Sequence, residues 1–372
     1  NKTITMEYLI AFILAAAGIV VNKRMTSTPR KIYLGIICIY VIIIVGLRYR
    51  VGVDTISYMA SFKQIRDLDH IFDSDIFSYR YEPGYLLLNS LVKTFTKEFW
   101  VMQMIVGAIV NGCIFVFLYR YCKNVFVGVM IFLFMQWFYF SMEIMRESIA
   151  ISIFLLNYRN LEKNNWTRYY LVSLIYIPFH YSSVVTWLFP LAKMLKPNMA
   201  FVIFCIAALA ITPVIERLYE LIPFLSLANR LDQYVTNAAG LNLNWKLAEL
   251  MRTGVPAMAV VMAYRMAKIR CTQEKMLLLQ ILFCMGAFAI PMIFSRFTNY
   301  TTMFVTVGAA NFFCDIEASR KLRIALLGTI LLSQGFYYYS MYPRWFPYVS
   351  IFNPHQVHER EQIWKHDFIT WR

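Results

Sequence analysis

The stretch KIYLGIICIYVIIIVGLRYR, residues 31–50, decides the fold class of this chain. Residues 32–47 are almost entirely apolar, over a length close to the ~20 residues that a helix needs to cross a bilayer. The run ends at Arg48 and Arg50, where a spanning helix would leave the hydrocarbon layer. This pattern predicts a transmembrane helix with charged residues at its end.

The composition of the whole chain agrees with this interpretation. Of 372 residues, 59% are apolar, 17% aromatic and only 15% charged, whereas soluble globular proteins carry roughly 25% charged residues. A water-soluble domain is therefore excluded. We expect an all-α, polytopic integral membrane helix bundle that forms a single membrane domain over residues 1–372. Further apolar runs occur at residues 6–21, 99–118, 125–142, 144–158, 199–215, 251–267, 276–294, 297–313 and 324–341.

The run at residues 169–192 is harder to interpret, because Pro178 and His180 lie in its middle. Five segments between the runs are short and basic, and such loops are typically cytoplasmic. They all lie on one side of the membrane only if 169–192 crosses twice, with His180 at the outer turn. This arrangement predicts about 12 transmembrane helices, with both termini outside. The five segments begin at Asn22, Tyr119, Arg159, Arg265 and Cys314.

The formal net charge of +15 has to be divided between the two sides of the membrane. In a soluble chain, such an excess would suggest a nucleic-acid partner. Here the predicted inner loops hold 18 of the 36 Lys and Arg but only four of the 21 Asp and Glu. The excess is therefore an orientation signal, and nucleic acid is not expected as a partner. The outer side is charge-dense but nearly balanced, as expected for a site that binds a polar, anionic substrate.

The predicted outer segments are the loops at about 48–98 and 213–250 and the C-terminal tail at 342–372. Residues 84–96 are too short to span and are expected to form an interfacial or re-entrant helix. No Walker A, Rossmann glycine, H-E-x-x-H or G-x-S-x-G motif occurs, and the seven cysteines lack metal-ligand spacing. We therefore expect no cofactor and no metal, and ATP-driven transport and serine-hydrolase chemistry have no support.

Four groups of charged residues lie at the outer ends of predicted spans. The first is RYRVGVDTISYMASF, at Arg48–Phe62. Arg48 and Arg50 offer planar guanidinium groups that suit phosphate oxygens, and Asp54 supplies a carboxylate. The alternative is that both arginines anchor the end of a helix at the lipid headgroups.

The charged residues of the second and third groups have either a functional or a structural role. In YEPGYLLLNSL, at Tyr81–Leu91, Glu82 precedes a helix-opening proline and is either functional or a charge that complements the helix dipole. In MEIMRESIA, Glu143, Arg146 and Glu147 have the i, i+3, i+4 spacing of one helix face. That helix would start outside and direct Arg146 toward an anion. A structural ion pair is the alternative.

The fourth group combines His180 with Arg296 of FSRFTNY. His180 is either a catalytic base or a hydrogen-bonded structural residue. Arg296 lies between apolar runs with no acid nearby in the sequence, and a phosphate is a suitable partner for it. The acidic run DLDHIFDSD, at residues 67–75, lacks the EF-hand pattern, so we interpret it as a solvated loop and not as a cation site.

The order of these motifs resembles the EpsG family of Wzy-like bacterial polysaccharide polymerases. The motifs are RYRVGVD followed by Tyr58 and Phe62, then EPGYLLLNSL, MRESIA, the His of FHYSS, and SRFTNY. The likeness runs from about Arg48 to Tyr300. One departure is Glu147, where the family favours Gln after the Arg.

The resemblance implies a membrane glycosyltransferase of the GT-C type. Such an enzyme joins oligosaccharide repeat units carried on undecaprenyl diphosphate into O-antigen, capsule or exopolysaccharide, at the outer face of the bacterial inner (cytoplasmic) membrane. The expected partners are that lipid-linked oligosaccharide and membrane lipid, with a chain-length regulator left open. Two alternatives are an O-antigen ligase, which usually has a larger outer loop late in the chain, and a flippase or transporter, which should have paired halves with broken helices.

The resemblance also suggests roles for individual residues. Four guanidinium groups are expected to bind the diphosphate and stabilise its charge as the sugar–phosphate bond breaks; they belong to Arg48, Arg50, Arg146 and Arg296. Asp54 is the favoured general base, because GT-C enzymes resembling this chain place an acid in the first outer loop. The reserve candidates for the base are Glu82, Glu143 and His180. The aromatic residues expected to stack on sugar rings are Tyr58, Tyr81 and Tyr85. Direct attack would invert the anomeric configuration.

Overall fold

The computed structural model of the chain describes residues 6–71, 81–195, 247–289, 291–341 and 344–363. Across these ranges the regular structure is helical, and the β-bridge between Arg48 and Ser350 is isolated. The prediction of an all-α chain is confirmed for this part of the chain. The predicted span at 199–215 lies outside the described residues, as do residues 72–80, 213–246 and both ends of the predicted outer tail.

Packing divides the chain into two compact units, residues 1–184 with 341–372, and residues 185–340. In the first unit α5 is central, because it packs against α2 on one side and α8 on another, while α1 packs on α6 and α9 on α8. The helices of this unit before residue 184 are α1 (Met6–Val21), α2 (Ser27–Gly46), α3 (Val53–Gln64), α4 (Pro83–Phe95), α5 (Phe99–Tyr121), α6 (Val125–Met135), α7 (Trp137–Met142), α8 (Met145–Glu162) and α9 (Trp166–Tyr176).

Three segments of the described chain are long and apolar enough to cross a membrane. Their outer surfaces are apolar as well: α2 exposes four isoleucines at a spacing of three or four residues, which is one helix face. Such a face is stable against lipid and costly in water, so the chain is a helical membrane protein. The count of about twelve spans stays a prediction. The three segments are Met6–Arg24, Ser27–Gly46 and Phe99–Tyr121.

The helical run at 169–192 is interrupted at His180, as the sequence predicts. After α9 the chain makes a 3₁₀ turn at Ile177–Phe179, His180 is extended, and a second 3₁₀ segment covers Tyr181–Met194. Pro178 within the turn lacks a backbone N–H and therefore cannot continue α9. That the two segments both cross the membrane stays a prediction.

After residue 195, the described part of the second unit resumes at residue 247, and a π-helical turn covers Leu250–Gly254. This turn leads directly into α10 (Val255–Ala267), which packs against α11 (Glu274–Ala289) and α12 (Pro291–Phe313). Helix α13 (Arg320–Met341) follows. A π-helical turn leaves backbone groups out of the regular hydrogen-bonding pattern and is frequent at functional sites.

The C-terminal segment, residues 344–363, belongs to the first unit and ends with α14 (Pro354–Ile363). It lies along the loop at 47–52, which follows α2. Backbone hydrogen bonds of 2.8–3.0 Å connect the two segments, at Tyr49 with Val349, Ile351 with Leu47, and Gly52 with Arg344.

Candidate functional site

Three of the predicted site residues form a buried network in the first unit. Arg146, the second residue of α8, makes an ion pair with Oε2 of Glu82, the residue before α4. The other oxygen of Glu82, Oε1, lies 2.8 Å from Nδ1 of His180. The side chains of Glu82 and His180 are only 10% and 8% exposed. One carboxylate thus joins a guanidinium and an imidazole that come from distant parts of the chain.

The local sequence explains why Glu82 reaches His180. Pro83 opens α4 at its first position, and Glu82 makes no side-chain hydrogen bond to its own helix, so its carboxylate is directed to tertiary partners. A Cβ on Gly84 would lie 2.9 Å from the carbonyl carbon of Pro178. Only glycine therefore allows α4 to approach the turn before His180 this closely. The role of Glu82 as a simple helix-dipole charge is the weaker interpretation.

His180 lies between two carboxylates. Its second ring nitrogen, Nε2, is 3.6 Å from Oε2 of Glu147, which is itself almost fully buried. Glu147 is the residue that follows Arg146 in the MRESIA motif. An imidazole oriented by a carboxylate at Nδ1 can accept a proton at Nε2, and a second carboxylate there stabilises the imidazolium that forms.

The charge state of Glu82 follows from its neighbours. Burial raises the pKa of this carboxyl, but the hydrogen bond with His180 and the positive charge of Arg146 outweigh burial and lower the pKa to about 2. Glu82 is therefore ionised at neutral pH. A carboxylate with so low a pKa is a weak base, so its geometry and charge both suit orientation of His180 better than proton abstraction.

Three predicted sugar-binding residues surround Arg146. The rings of Tyr58, Tyr81 and Tyr85 are mutual neighbours with centroids 5.6–5.7 Å apart, and all three side chains are buried. The Arg146 guanidinium lies 4.5 Å from the centre of the Tyr81 ring, and it donates a hydrogen bond to the Tyr58 hydroxyl. The cation–π contact with Tyr81 and the hydrogen bond with Tyr58 fix the position of the Arg146 guanidinium. Stacking of these rings on a sugar stays a prediction.

The two arginines of the predicted first outer loop have different surroundings. Arg48 is 1% exposed, and its guanidinium donates to the backbone carbonyls of Val45 and Val51, which closes the C-terminal end of α2. Arg50 is partly exposed and lies 3.6 Å from Glu361. The sequence-based alternative, in which both arginines anchor a helix end, fits Arg48 in part, although the anchor is backbone and not lipid.

Asp54 lies in the first turn of α3, where its side chain is exposed. The helix starts here because Gly52 adopts a φ of +95°, and a Cβ at Gly52 would lie 2.0 Å from the carbonyl oxygen of Met142. This close approach brings Asp54 near Glu143, whose pKa it helps to raise. Two of the candidate bases therefore belong to one region of the first unit.

Glu143 is not on the helix face that its spacing predicts. Helix α8 begins only at Met145, so Glu143 lies in the break after α7, and it cannot share a face with Arg146. Its carboxylate instead lies 3.4 Å from Arg344 and accepts a 3.1 Å hydrogen bond from Nε1 of Trp345. Burial raises the pKa of Glu143, and the charge of Arg344 opposes this rise. Sequence reasoning missed both partners, whose only signal was their place in the predicted outer tail.

Arg296 lies on α12 in the second unit, where the sequence motif SRFTNY has a further role. Asn299 of this motif accepts a 2.8 Å hydrogen bond from the buried Arg252 of the π-helical turn. Arg252 also binds Glu249 through two nitrogens, at 3.0 and 2.7 Å. This cluster was missed, although a Glu and an Arg three residues apart at the start of an apolar run are a signal for it.

Metal ligands are not grouped in the described ranges: no set of three or more His, Cys, Asp or Glu side chains there is arranged to hold an ion. Within the acidic run, Asp67 and His70 form an exposed contact of 2.7 Å. Asp73 and Asp75 lie outside the described residues.

Comparison with known proteins identifies a family. The family model of the EpsG family matches residues 31–350. This range includes all the charged motifs described above and extends to the segment that carries Arg344 and Trp345. No curated protein and no solved structure matches the chain. The resemblance read from the order of the motifs is confirmed.

Proposed function

The chain belongs to the EpsG family, a family of Wzy-like polymerases, and from this premise we propose that it is a bacterial polysaccharide polymerase. It joins repeat units carried on undecaprenyl diphosphate at the outer face of the cytoplasmic membrane, as a GT-C-type glycosyltransferase. The observation that carries the proposal is the buried network of Arg146, Glu82 and His180. It joins three separate family-like motifs in one place.

The reaction is an inverting glycosyl transfer. A hydroxyl oxygen of the acceptor sugar attacks the anomeric carbon of the donor, the bond from that carbon to the diphosphate oxygen breaks, and undecaprenyl diphosphate leaves with the electron pair. The hydroxyl proton passes to a protein base. No nucleotide or redox partner is required, because the diphosphate itself is the leaving group.

Guanidinium groups at the outer ends of helices bind the diphosphate and stabilise the charge that develops on it. Arg146 is held in a fixed position by Glu82 and the tyrosines, and preorganised donors of this kind are worth about 3–4 kcal/mol each in the transition state. Arg50 and Arg296 are further candidates on this proposal. Arg48 contributes mainly by fixing the loop, because its guanidinium is engaged by backbone carbonyls.

Two candidates for the general base have support from their surroundings. Asp54 is exposed at the start of α3 and is accessible to an acceptor hydroxyl. His180 has its Nδ1 held by Glu82 and its Nε2 directed toward Glu147, which is the arrangement of an oriented base. Glu143 remains a third candidate, because burial raises its pKa toward the range of an effective base.

Polymer-length profiling tests these roles. A deletion strain is complemented with wild type, Asp54→Asn, Arg146→Ala or His180→Gln, and the polysaccharide is resolved by gel. We expect Arg146→Ala to lose long chains, since both the ion pair and the diphosphate contact are removed. Loss with Asp54→Asn or His180→Gln identifies the base. Normal expression with wild-type chain lengths in both Asp54→Asn and Arg146→Ala would contradict the assigned roles.

A further inference from the structure

The sequence predicts no site residue in the C-terminal segment, residues 344–363. In the structure this segment is hydrogen-bonded to the first outer loop. Its backbone pairs with the loop at 47–52 through several hydrogen bonds. The carbonyl of Arg344 alone accepts two hydrogen bonds, from the backbone N–H of Gly52 at 2.8 Å and from Nη2 of Arg360 at 2.9 Å. The position of residue 344 is thus fixed relative to the start of α3.

Arg360 is the centre of this connection. It is fully buried, and its three guanidinium nitrogens donate to three backbone carbonyls: Arg50 at 3.1 Å, Phe346 at 3.2 Å and Arg344 at 2.9 Å. One of these carbonyls belongs to the first outer loop and two belong to the C-terminal segment. A buried cation that is satisfied by carbonyls of two segments holds those segments together.

The consequence is that residues 344 and 345 direct their side chains to Glu143. The Arg344 guanidinium lies 3.4 Å from one oxygen of Glu143, and the buried Trp345 donates to the other oxygen. Arg344 is 27% exposed, so its guanidinium reaches the surface of this region. Asp54 acts on the same carboxylate. An arginine from the C-terminal segment is therefore placed beside two candidate bases.

Arg344 has the properties that the first outer loop was expected to supply through Arg48. Arg48 is fully buried, with two of its guanidinium nitrogens on the carbonyls of Val45 and Val51. Arg344 is partly exposed, and its guanidinium lies beside the Glu143 carboxylate.

We propose that Arg344 is a further diphosphate-binding residue of this protein, and that Arg360 is the positioning residue that holds it at the site. The proposal rests on the function proposed above, since the ligand is the diphosphate of the lipid-linked substrate. The C-terminal segment is then part of the substrate site.

Binding to the full-length protein in lipid nanodiscs tests this assignment, with undecaprenyl diphosphate as the probe and undecaprenyl monophosphate as the comparison. The variants are Arg344→Ala and Arg344→Lys, and Arg24→Ala is the matched control, because Arg24 is an exposed arginine distant in sequence from every site motif. A charge-assisted hydrogen bond corresponds to a tenfold to hundredfold change in affinity. We expect a loss of about this size for the diphosphate in Arg344→Ala, a smaller loss in Arg344→Lys, and wild-type binding in Arg24→Ala.

The outcomes separate this inference from the proposed function. In one outcome, wild type binds the diphosphate and polymerises while both Arg344 variants bind the diphosphate equally well. That result would show that Arg344 is not a binding residue, and it would leave the proposed polymerase function unaffected. If wild type neither polymerises nor binds the diphosphate, the proposed function itself fails. An equal loss of diphosphate and monophosphate in Arg344→Ala would indicate general phosphate attraction and would overturn recognition of the diphosphate.

The role of Arg360 has its own test, with Arg360→Lys. Initial polymerisation rates should show a raised KM with a smaller change in kcat, as for Arg344→Ala. In the double variant with Arg344→Ala, Arg360→Lys should change KM little further, because residues that act through one contact are not additive. A lowered melting temperature with an unchanged KM, or fully additive effects on KM, would show that Arg360 is structural only.

Discussion

Replacing Glu82 by Gln removes the negative charge between Arg146 and His180, and its effect on stability should depend on pH. The pKa of Glu82 lies at about 2 instead of its ordinary 4.5. A group whose pKa is lowered by folding stabilises the protein above its unfolded pKa and loses that contribution as pH falls through its folded pKa. A fall of this size in the pKa means that ionised Glu82 contributes about 3 kcal/mol to the free energy of unfolding at pH 7 and about 2 kcal/mol at pH 3.5. The side chain is only 10% exposed, so solvent screening reduces this little.

The assay is unfolding by guanidinium chloride in detergent micelles, with wild type and Glu82→Gln compared at pH 7 and pH 3.5. The matched control is Glu162→Gln, at the exposed end of α8, where loss of the carboxylate should cost less than about 1 kcal/mol at either pH. The expected result is a destabilisation by Glu82→Gln that shrinks on acidification. No destabilisation at pH 7, or a difference of equal size at both pH values, would refute the electrostatic account of the network.

Two further substitutions, one with a matched control, test a close backbone approach in the first unit and a buried hydrogen bond in the second. Gly52→Ala should lower the free energy of unfolding by about 2 kcal/mol or more, because φ is +95° and the new Cβ would meet the Met142 carbonyl. Gly112→Ala, which has open space in α5, should leave stability unchanged or raise it by about 0.5–1 kcal/mol, and equal effects of the two would contradict the argument. Asn299→Ala removes an acceptor from buried Arg252 and should cost about 1–3 kcal/mol in the same unfolding assay; a neutral result would mean that the contact is dispensable.

The parts of the structure that local sequence patterns determine were predictable. Long apolar runs identify spanning helices, and Pro178 marks the break at His180, since a missing N–H and a fixed φ act on the nearest turn. The start of α4 at Pro83 follows from the same rule. The charged motifs could be recognised as a set, because they recur at the predicted outer ends of apolar runs.

The pairing of the charges could not be predicted from the sequence. Glu82 and His180 are 98 residues apart, and their contact depends on the close approach of Gly84 to Pro178. The prediction that Glu143 and Arg146 share a helix face was wrong for a related reason. Spacing rules hold only within a continuous helix, and the chain breaks between α7 and α8 where no glycine or proline marks the break.

The central claim is that this chain forms glycosidic bonds between lipid-linked repeat units. The most direct measurement is incubation of the purified protein with synthetic repeat units on undecaprenyl diphosphate, followed by gel analysis of the products. The account predicts a ladder of polymer that requires Arg146. Transfer to a lipid A core acceptor without a ladder would identify a ligase, and the absence of any new bond would contradict the account and favour a flippase or transporter.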